Sequence, residues 1–165
     1  EKAAAGTVDV PPIAGLVVAS AALVAAESIP APLVAVANVI GKLAPKLPTI
    51  RLDGEAISRD PAVRSDYDAD PLNYRGKLSA GTGRQMNLAM AAAMDRARTI
   101  TCPVLVIHGM KDTALLSAGH NNTWEHIGKD TTMLMVPDAG HFVQHDAEAL
   151  VNAEIRSWLD LHPVK

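Results

Sequence analysis

Two stretches decide the fold: Pro103-Val-Leu-Val-Ile-His-Gly-Met-Lys-Asp112 and Thr132-Met-Leu-Met-Val-Pro-Asp-Ala-Gly-His141. Each begins as a short apolar, β-branched run and ends in a turn-forming cluster, the pattern of a strand buried on both faces of a parallel sheet. Ser117 to Ile127 can form a helix carrying Trp124 and Ile127 inward, and Val151, Ile155, Trp158 and Leu159 mark an amphipathic final helix. About 25 residues between the strands are enough for a right-handed crossover in a parallel sheet. Parallel strands point the same way, so the loops after them emerge on one edge, where functional groups of open α/β sheets gather. Asp112 lies in the first loop and His141, behind Gly140, in the second. A carboxylate that orients and charge-stabilises an imidazole is half of a nucleophile-activating triad.

Working outward, Ile13 to Ala19 reads as another buried strand. From Ser20 to Thr101 the chain reads as helical and loop-rich, with no strand. There Leu33, Val36, Ile40 and Leu43 recur at helical spacing, as do Met86, Met90 and Met94. Asp60-Pro61 looks like a helix start, and Asp66, Asp68 and Asp70 around Tyr67 look like a solvated turn. With 165 residues, 48% apolar and 20% charged, the chain can bury a core and is neither disordered nor coiled-coil in composition. A net charge of −3 gives no global electrostatic case for nucleic acid or an anionic membrane. The single cysteine, Cys102, excludes an intramolecular disulfide framework. Residues 10–26 approach the ~20 apolar residues that span a bilayer, but Pro11, Pro12, Glu27 and Pro30 bound them and favour a buried strand. No signal peptide is visible, and a cytoplasmic location is expected. The Asn121-Asn122-Thr123 sequon has no bearing without secretion.

Asp138 competes with Asp112 for the acid role, but three residues before His141 in the same loop it reads as a turn former. His120, His126, His141 and His145 match no zinc spacing and have no cysteine beside them, so neither a metal nor a cofactor is expected. No G-x-S-x-G occurs. Ser20 comes nearest in context, at a strand end, yet Val18-Ala19-Ser20-Ala21-Ala22 lacks both glycines.

The order strand–HGMKD112, strand–DAGH141, closing helix resembles the C-terminal part of the α/β-hydrolase fold, whose triad runs Ser…Asp/Glu…His. GLVVASAAL, LDGEAISRDPAVRSDYDADPL and KLSAGTG resemble the cap of bacterial monoacylglycerol lipases and lysophospholipase-like esterases. The resemblance implies a parallel sheet flanked by helices with a helical cap and without the N-terminal strands. Residues 1–19 would be a core strand, 20–101 a cap or lid and 102–165 the C-terminal core. It matches Asp112 to the acid and His141 to the base of an ester hydrolase, and places Ser20 on the strand after the nucleophile's own. Leu33, Val36, Ile40, Met86 and Met90 would line an acyl pocket or touch lipid. Two alternatives stay open. GMKDTALL and VPDAGHFVQHDA resemble loops of epoxide hydrolases and haloalkane dehalogenases, which use an Asp nucleophile; or the chain is a non-catalytic module. By the same resemblance, 165 residues correspond to about half of a fold of ~250 to 300. The expected partners are therefore an apolar ester and, across the open edge of the Ile13–Ala19 strand, a complementary N-terminal segment or a second copy.

Overall fold

The structure is a computed structural model that describes residues 13–22, 31–51, 56–113, 127, 128 and 130–163. In chain order its elements are β1 (Leu16–Ala19), α1 (Ala31–Leu43), β2 (Pro48–Arg51), α2 (Pro61–Ala69), β3 (Lys77–Ser79), α3 (Ala80–Ala97), β4 (Val104–Gly109), β5 (Thr131–Val136), α4 (Val143–Asp146) and α5 (Glu148–Leu161).

Strands β1, β4 and β5 form a parallel sheet in that order, with Leu16 opposite Val104 and Val104 opposite Thr131. All six residues of β4 are buried, as a central strand covered on both faces requires. Its side chains alternate between two cores. Leu105 and Ile107 join Val136, Val143, Val151 and Trp158 beneath α4 and α5. Val104 and Val106 join Ala97 and Ile127 on the opposite face. Helix α5 buries Val151 and Trp158, two turns apart, with Ile155 partly covered between them. Leu159, the fourth member of the expected stripe, is exposed. The first strand is shorter than Ile13 to Ala19, because Ile13 lies outside it and is exposed. The expected helix from Ser117 and its Trp124 lie outside the described residues.

Between Ser20 and Thr101 the structure corrects the expectation of no strand. Strands β2 and β3 pair antiparallel, Pro48 opposite Ser79 and Arg51 opposite Lys77. They are four and three residues long and carry no apolar alternation, so no period-2 signal marks them. The Thr49 hydroxyl donates to the Leu78 carbonyl at 2.8 Å, and Ser79, ending β3, also caps α3 through Thr82 N–H at 3.1 Å. Helix α2 starts as expected, with Pro61 in its first turn and Asp60 accepting from Ala62 N–H at 2.8 Å. The acidic stretch around Tyr67 is not a turn but the last turn of α2. The Arg75 guanidinium donates to the Tyr67 and Asp70 carbonyls there at 2.6 and 2.9 Å, a cation at the negative end of the helix.

Helices α1 and α3 pack through an unexpected face. Val34, Asn38 and Gly41 turn toward α3; Asn87 donates to Asn38 at 3.1 Å. A Cβ on Gly41 would fall 2.4 Å from the Ala80 carbonyl oxygen, so the helices approach too closely for a larger residue. The Leu33, Val36, Ile40 and Leu43 stripe therefore faces outward and is exposed. No helix among the described residues is long and apolar enough to cross a membrane.

The contrast along α5 gives a test of the core. Trp158→Ala, at a position 5% exposed, should lower unfolding free energy by about 3–5 kcal/mol. Leu159→Ala should change it by under about 0.5 kcal/mol. Urea midpoints of the two variants measure both.

Candidate active site

The site begins where β4 stops. Asp112 N–H donates to the Gly109 carbonyl at 3.1 Å, closing a four-residue turn that folds the Asp112 side chain back over the strand end. Met110 N–H donates to Val136 at 3.0 Å and Lys111 N–H to Ala139 at 2.9 Å, which lace this turn to the loop after β5. A Cβ on Gly109 would lie 2.2 Å from the Gly140 carbonyl oxygen and 2.4 Å from that of Ala139. The two loops interlock at a point where only glycine fits. Asp138, with φ of 59° and an exposed side chain, turns the second loop, and no hydrogen bond links it to His141 among the described residues.

Interlocking brings Asp112 and His141 together. Asp112 Oδ2 is 2.9 Å from His141 Nδ1, and the Asp112 side chain is fully buried. The His108 ring lies against the same oxygen, its Nε2 3.2 Å away without hydrogen-bond geometry, and both side chains are fully buried. A buried carboxylate without donors would cost several kcal/mol, and the His141 hydrogen bond offsets part of that cost. With Asp112 accepting from Nδ1–H, the lone pair of His141 sits on Nε2, and the side chain remains 26% exposed. That tautomer can take a proton from a hydroxyl or water brought to Nε2.

The backbone of His141 is clamped on both sides. Gly140 N–H donates to Asp146 Oδ2 at 2.6 Å, and Phe142 N–H to the Ile57 carbonyl at 2.6 Å. The same Asp146 carboxylate accepts from Arg59 N–H at 3.1 and 3.2 Å and from the buried Ser58 hydroxyl. Burial pushes the Asp146 carboxyl up, but the hydrogen bonds from Ser58 and from the Gly140, Arg59 and Asp60 amides outweigh it and hold the group below its ordinary value of 3.8. Sequence reading missed Ser58 and Asp146, since 88 residues separate them and neither sits in a motif.

The other expected site residues are dispersed. Ser20 ends β1 with φ of 45° and donates its N–H to Ile107. Its hydroxyl is buried and makes no hydrogen bond among the described residues, so it is not joined to either ring. Leu33, Val36 and Ile40 on α1 and Met86 on α3 are exposed, and Met90 is half-buried. Two hollows adjoin the His141 loop. One, about 260 Å³, is bordered by Arg59, Arg64, Lys111 and Gly140. The other, about 320 Å³, is bordered by Tyr67, Asn73, Phe142 and the exposed His145. Tyr67 meets Phe142 edge to face at 6.4 Å. Among the described residues no group of three or more His, Cys, Asp or Glu side chains could hold a metal ion; His120 and His126 lie outside them.

Residues 3–148 match the family model described as serine aminopeptidase, S33 (Hydrolase_4). The chain belongs to this α/β-hydrolase family. Among its relatives, a monoacylglycerol lipase of Mycolicibacterium smegmatis is 38% identical over 149 residues, covering 89% of this chain and 53% of the relative. A monoglyceride lipase of Mus musculus is 26% identical over 127 residues, covering 74% and 42%. The crystal structure of a Paleococcus ferrophilus monoacylglycerol lipase superposes with a TM-score of 0.76 at 30% identity, over 92% of this chain and 60% of that one. A soluble variant of the Saccharomyces cerevisiae monoglyceride lipase, at 19% identity and a TM-score of 0.72, shares the fold. This Hydrolase_4 chain thus spans about half the length of the curated relatives it matches. The α/β-hydrolase fold expected from the sequence is the fold found.

Two substitutions test how the loops hold the pair. Gly109→Ala should destabilise the chain by about 1–3 kcal/mol and separate the rings from Asp112, read as a lower melting temperature and altered histidine NMR signals. Asp146→Asn should cost about 1–2 kcal/mol at neutral pH. Because the Asp146 carboxyl titrates lower when folded, the unfolded chain takes up the proton first and stability rises with pH through that window. The advantage of wild type over Asp146→Asn should be full above about pH 5 and vanish as the pH falls through the lowered folded value. A pH-independent difference in urea unfolding would contradict this assignment.

Proposed function

We propose that this chain supplies the acid and base of an ester hydrolase acting on monoacylglycerol-like esters. The observation that carries the reading is the buried Asp112 carboxylate held 2.9 Å from Nδ1 of the half-exposed His141. Membership of the Hydrolase_4 family and the monoacylglycerol lipases among its relatives support the ester chemistry. The sequence contains no G-x-S-x-G, and the nucleophilic serine is assigned to sequence outside these 165 residues. In the reaction, His141 Nε2 takes the serine proton as the oxygen attacks the ester carbonyl. The ring then returns that proton to the departing alcohol oxygen, leaving an acyl-enzyme; in the second half the same nitrogen activates water. Asp112 keeps the lone pair on Nε2 and stabilises the imidazolium formed in each half. The oxyanion falls to backbone amides supplied with the nucleophile.

In the same reading residues 20–101 act as a cap over the site. Leu33, Val36, Ile40, Met86 and Met90 supply apolar surface for the acyl chain or for the lipid it comes from. Among the described residues β1 hydrogen-bonds to β4 alone, so its outer edge is assigned to the preceding strand of a complete sheet or to a second copy.

Two measurements test this. With the intact gene product, His141→Ala should lower hydrolysis of p-nitrophenyl esters and monoacylglycerols at least about 10³-fold. Equal rates would end the reading, and turnover of epoxides or haloalkanes instead would point to an aspartate nucleophile. For the 165-residue chain, size-exclusion chromatography at micromolar concentration should show self-association. A monomer there would refute the open-edge assignment.

A further inference from the structure

Three cations converge on the smaller of the hollows beside the His141 loop. Arg59 precedes α2, Arg64 lies in its first turn and Lys111 in the turn after β4. With Ser58, Thr113 and Gly140 they border about 260 Å³, and no Asp or Glu stands in that wall among the described residues. The chain as a whole carries a net charge of −3, yet none of these three side chains makes an ion pair among the described residues. The Asp146 carboxylate adjoins Gly140, but it already accepts from the Ser58 hydroxyl and the Arg59 and Gly140 amides. One carboxylate against three cations leaves a local surplus of positive charge. The cations are also anchored at the backbone. Lys111 N–H donates to the Ala139 carbonyl at 2.9 Å, Arg64 N–H to Asp60 at 3.1 Å and Arg59 N–H to Asp146 at 3.1 Å. The Arg59 stem lies along Gly140, its Cγ 3.5 Å from where a Cβ would stand.

We propose that this hollow binds a phosphate monoester, its phosphoryl oxygens taken by the Arg59 and Arg64 guanidiniums and the Lys111 ammonium. A phosphate monoester at neutral pH carries about −1.5 to −2 charges and three acceptor oxygens. That matches three cations set against one carboxylate better than a carboxylate ligand does, with its single charge and two oxygens. Guanidinium forks suit phosphate geometry, and a lysine adds a point charge. The Thr113 hydroxyl, which makes no hydrogen bond among the described residues, is a further donor in the same wall. Lys111 is the neighbour of Asp112 in the chain and Gly140 that of His141, one Cα step of about 3.8 Å in each case. A phosphoryl group held here therefore stands beside the acid–base pair, within reach of an ester on the same molecule. Two sources share this chemistry: a phosphate on the glycerol part of the ester, or a free phosphate ester. Binding rests on the charge of the hollow alone, whereas its link to the cleaved ester rests on the acid–base reading of Asp112 and His141.

Calorimetric titration and melting temperature of the intact gene product, at fixed ionic strength, measure binding of glycerol 3-phosphate and of inorganic phosphate, with glycerol as the uncharged control. Glycerol 3-phosphate should bind at millimolar concentration or below and raise the melting temperature, and glycerol should do neither. Arg64→Gln and Lys111→Gln should each weaken that binding at least about tenfold. No binding of either phosphate at tens of millimolar overturns the proposal. So does wild-type affinity in both folded variants, which would put the phosphate elsewhere. Steady-state rates on 1-acylglycerol 3-phosphate and on 1-monoacylglycerol then separate the two sources. A lower KM for the phosphorylated ester, with the ratio of the two kcat/KM values falling at least about tenfold in Arg64→Gln, places the phosphate on the substrate. Equal KM values, with glycerol 3-phosphate bound and changing monoacylglycerol turnover, place it on a free phosphate ester. An intact gene product that binds glycerol 3-phosphate through these cations but hydrolyses no ester sinks the functional reading alone, because the titrations decide the site independently.

Discussion

The carboxylate of Asp112 is the constraint to which the carboxyl edge of the sheet is fitted. An ionised group buried this deeply persists only where donors reach it, and His141 Nδ1 does so here at 2.9 Å. Meeting that requirement fixes much else. The β4 turn must fold back on itself, the β5 loop must cross it in contact, and residue 109 can have no side chain. Three backbone hydrogen bonds, from Met110, Lys111 and Asp112, hold a geometry whose purpose lies in one side chain. Each is of ordinary strength, about 1 kcal/mol net, so it is their combination that sets the precision of the pair.

A second layer of constraint comes from the segment that precedes α2. Ile57, Ser58 and Arg59 hold the amides on either side of His141, directly or through Asp146. The loop carrying His141 is thus tied to the sheet at one end and to the Ser20–Thr101 segment at the other. A displacement of α2 would be transmitted to the His141 backbone through two short hydrogen bonds rather than absorbed by a slack loop. The position of His141 and the position of that segment are therefore mechanically one problem.

What could be read from the sequence follows from how far each feature reaches along the chain. β4, β5 and the Asp60 cap are local: apolar β-branched runs and an Asp-Pro pair carry their own signals. The meeting of Asp112 with His141 follows from one topological fact, that parallel strands deliver their loops to the same edge. The Asp146–Ser58 clamp has no comparable signal, because residues 88 apart meet through tertiary packing alone. β2 and β3 escaped notice because their pairing comes from a threonine hydroxyl and a helix cap, not from an apolar face. In α1 the spacing was legible and the direction was not. A hydrophobic stripe predicts burial only when its partner can accept bulk, and the Gly41–Ala80 contact excludes it.

That inversion on α1 bears on the energetics of the whole chain. Leu33, Val36, Val39, Ile40 and Leu43 lie on one helix and are all exposed, and Leu47 and Ile50 extend the apolar surface beyond it. Covering a leucine or valine contributes about 1.5–3 kcal/mol, so this surface forgoes a stabilisation comparable to that of a small core cluster. Contiguous apolar surface of this kind is uncommon on monomers without a binding role. The narrow polar and glycine face that α1 spends on α3 leaves its larger side chains available to a ligand or a further surface. The same logic holds at β1, where a strand buried on one flank by β4 presents its other flank unpaired among the described residues. The α1 surface sits outside the compact region built around β4, Val136 and Trp158, whereas β1 borders it. Order in this chain therefore concentrates around Asp112 and His141, while α1 and the outer edge of β1 leave apolar and hydrogen-bonding surface unpaired among the described residues.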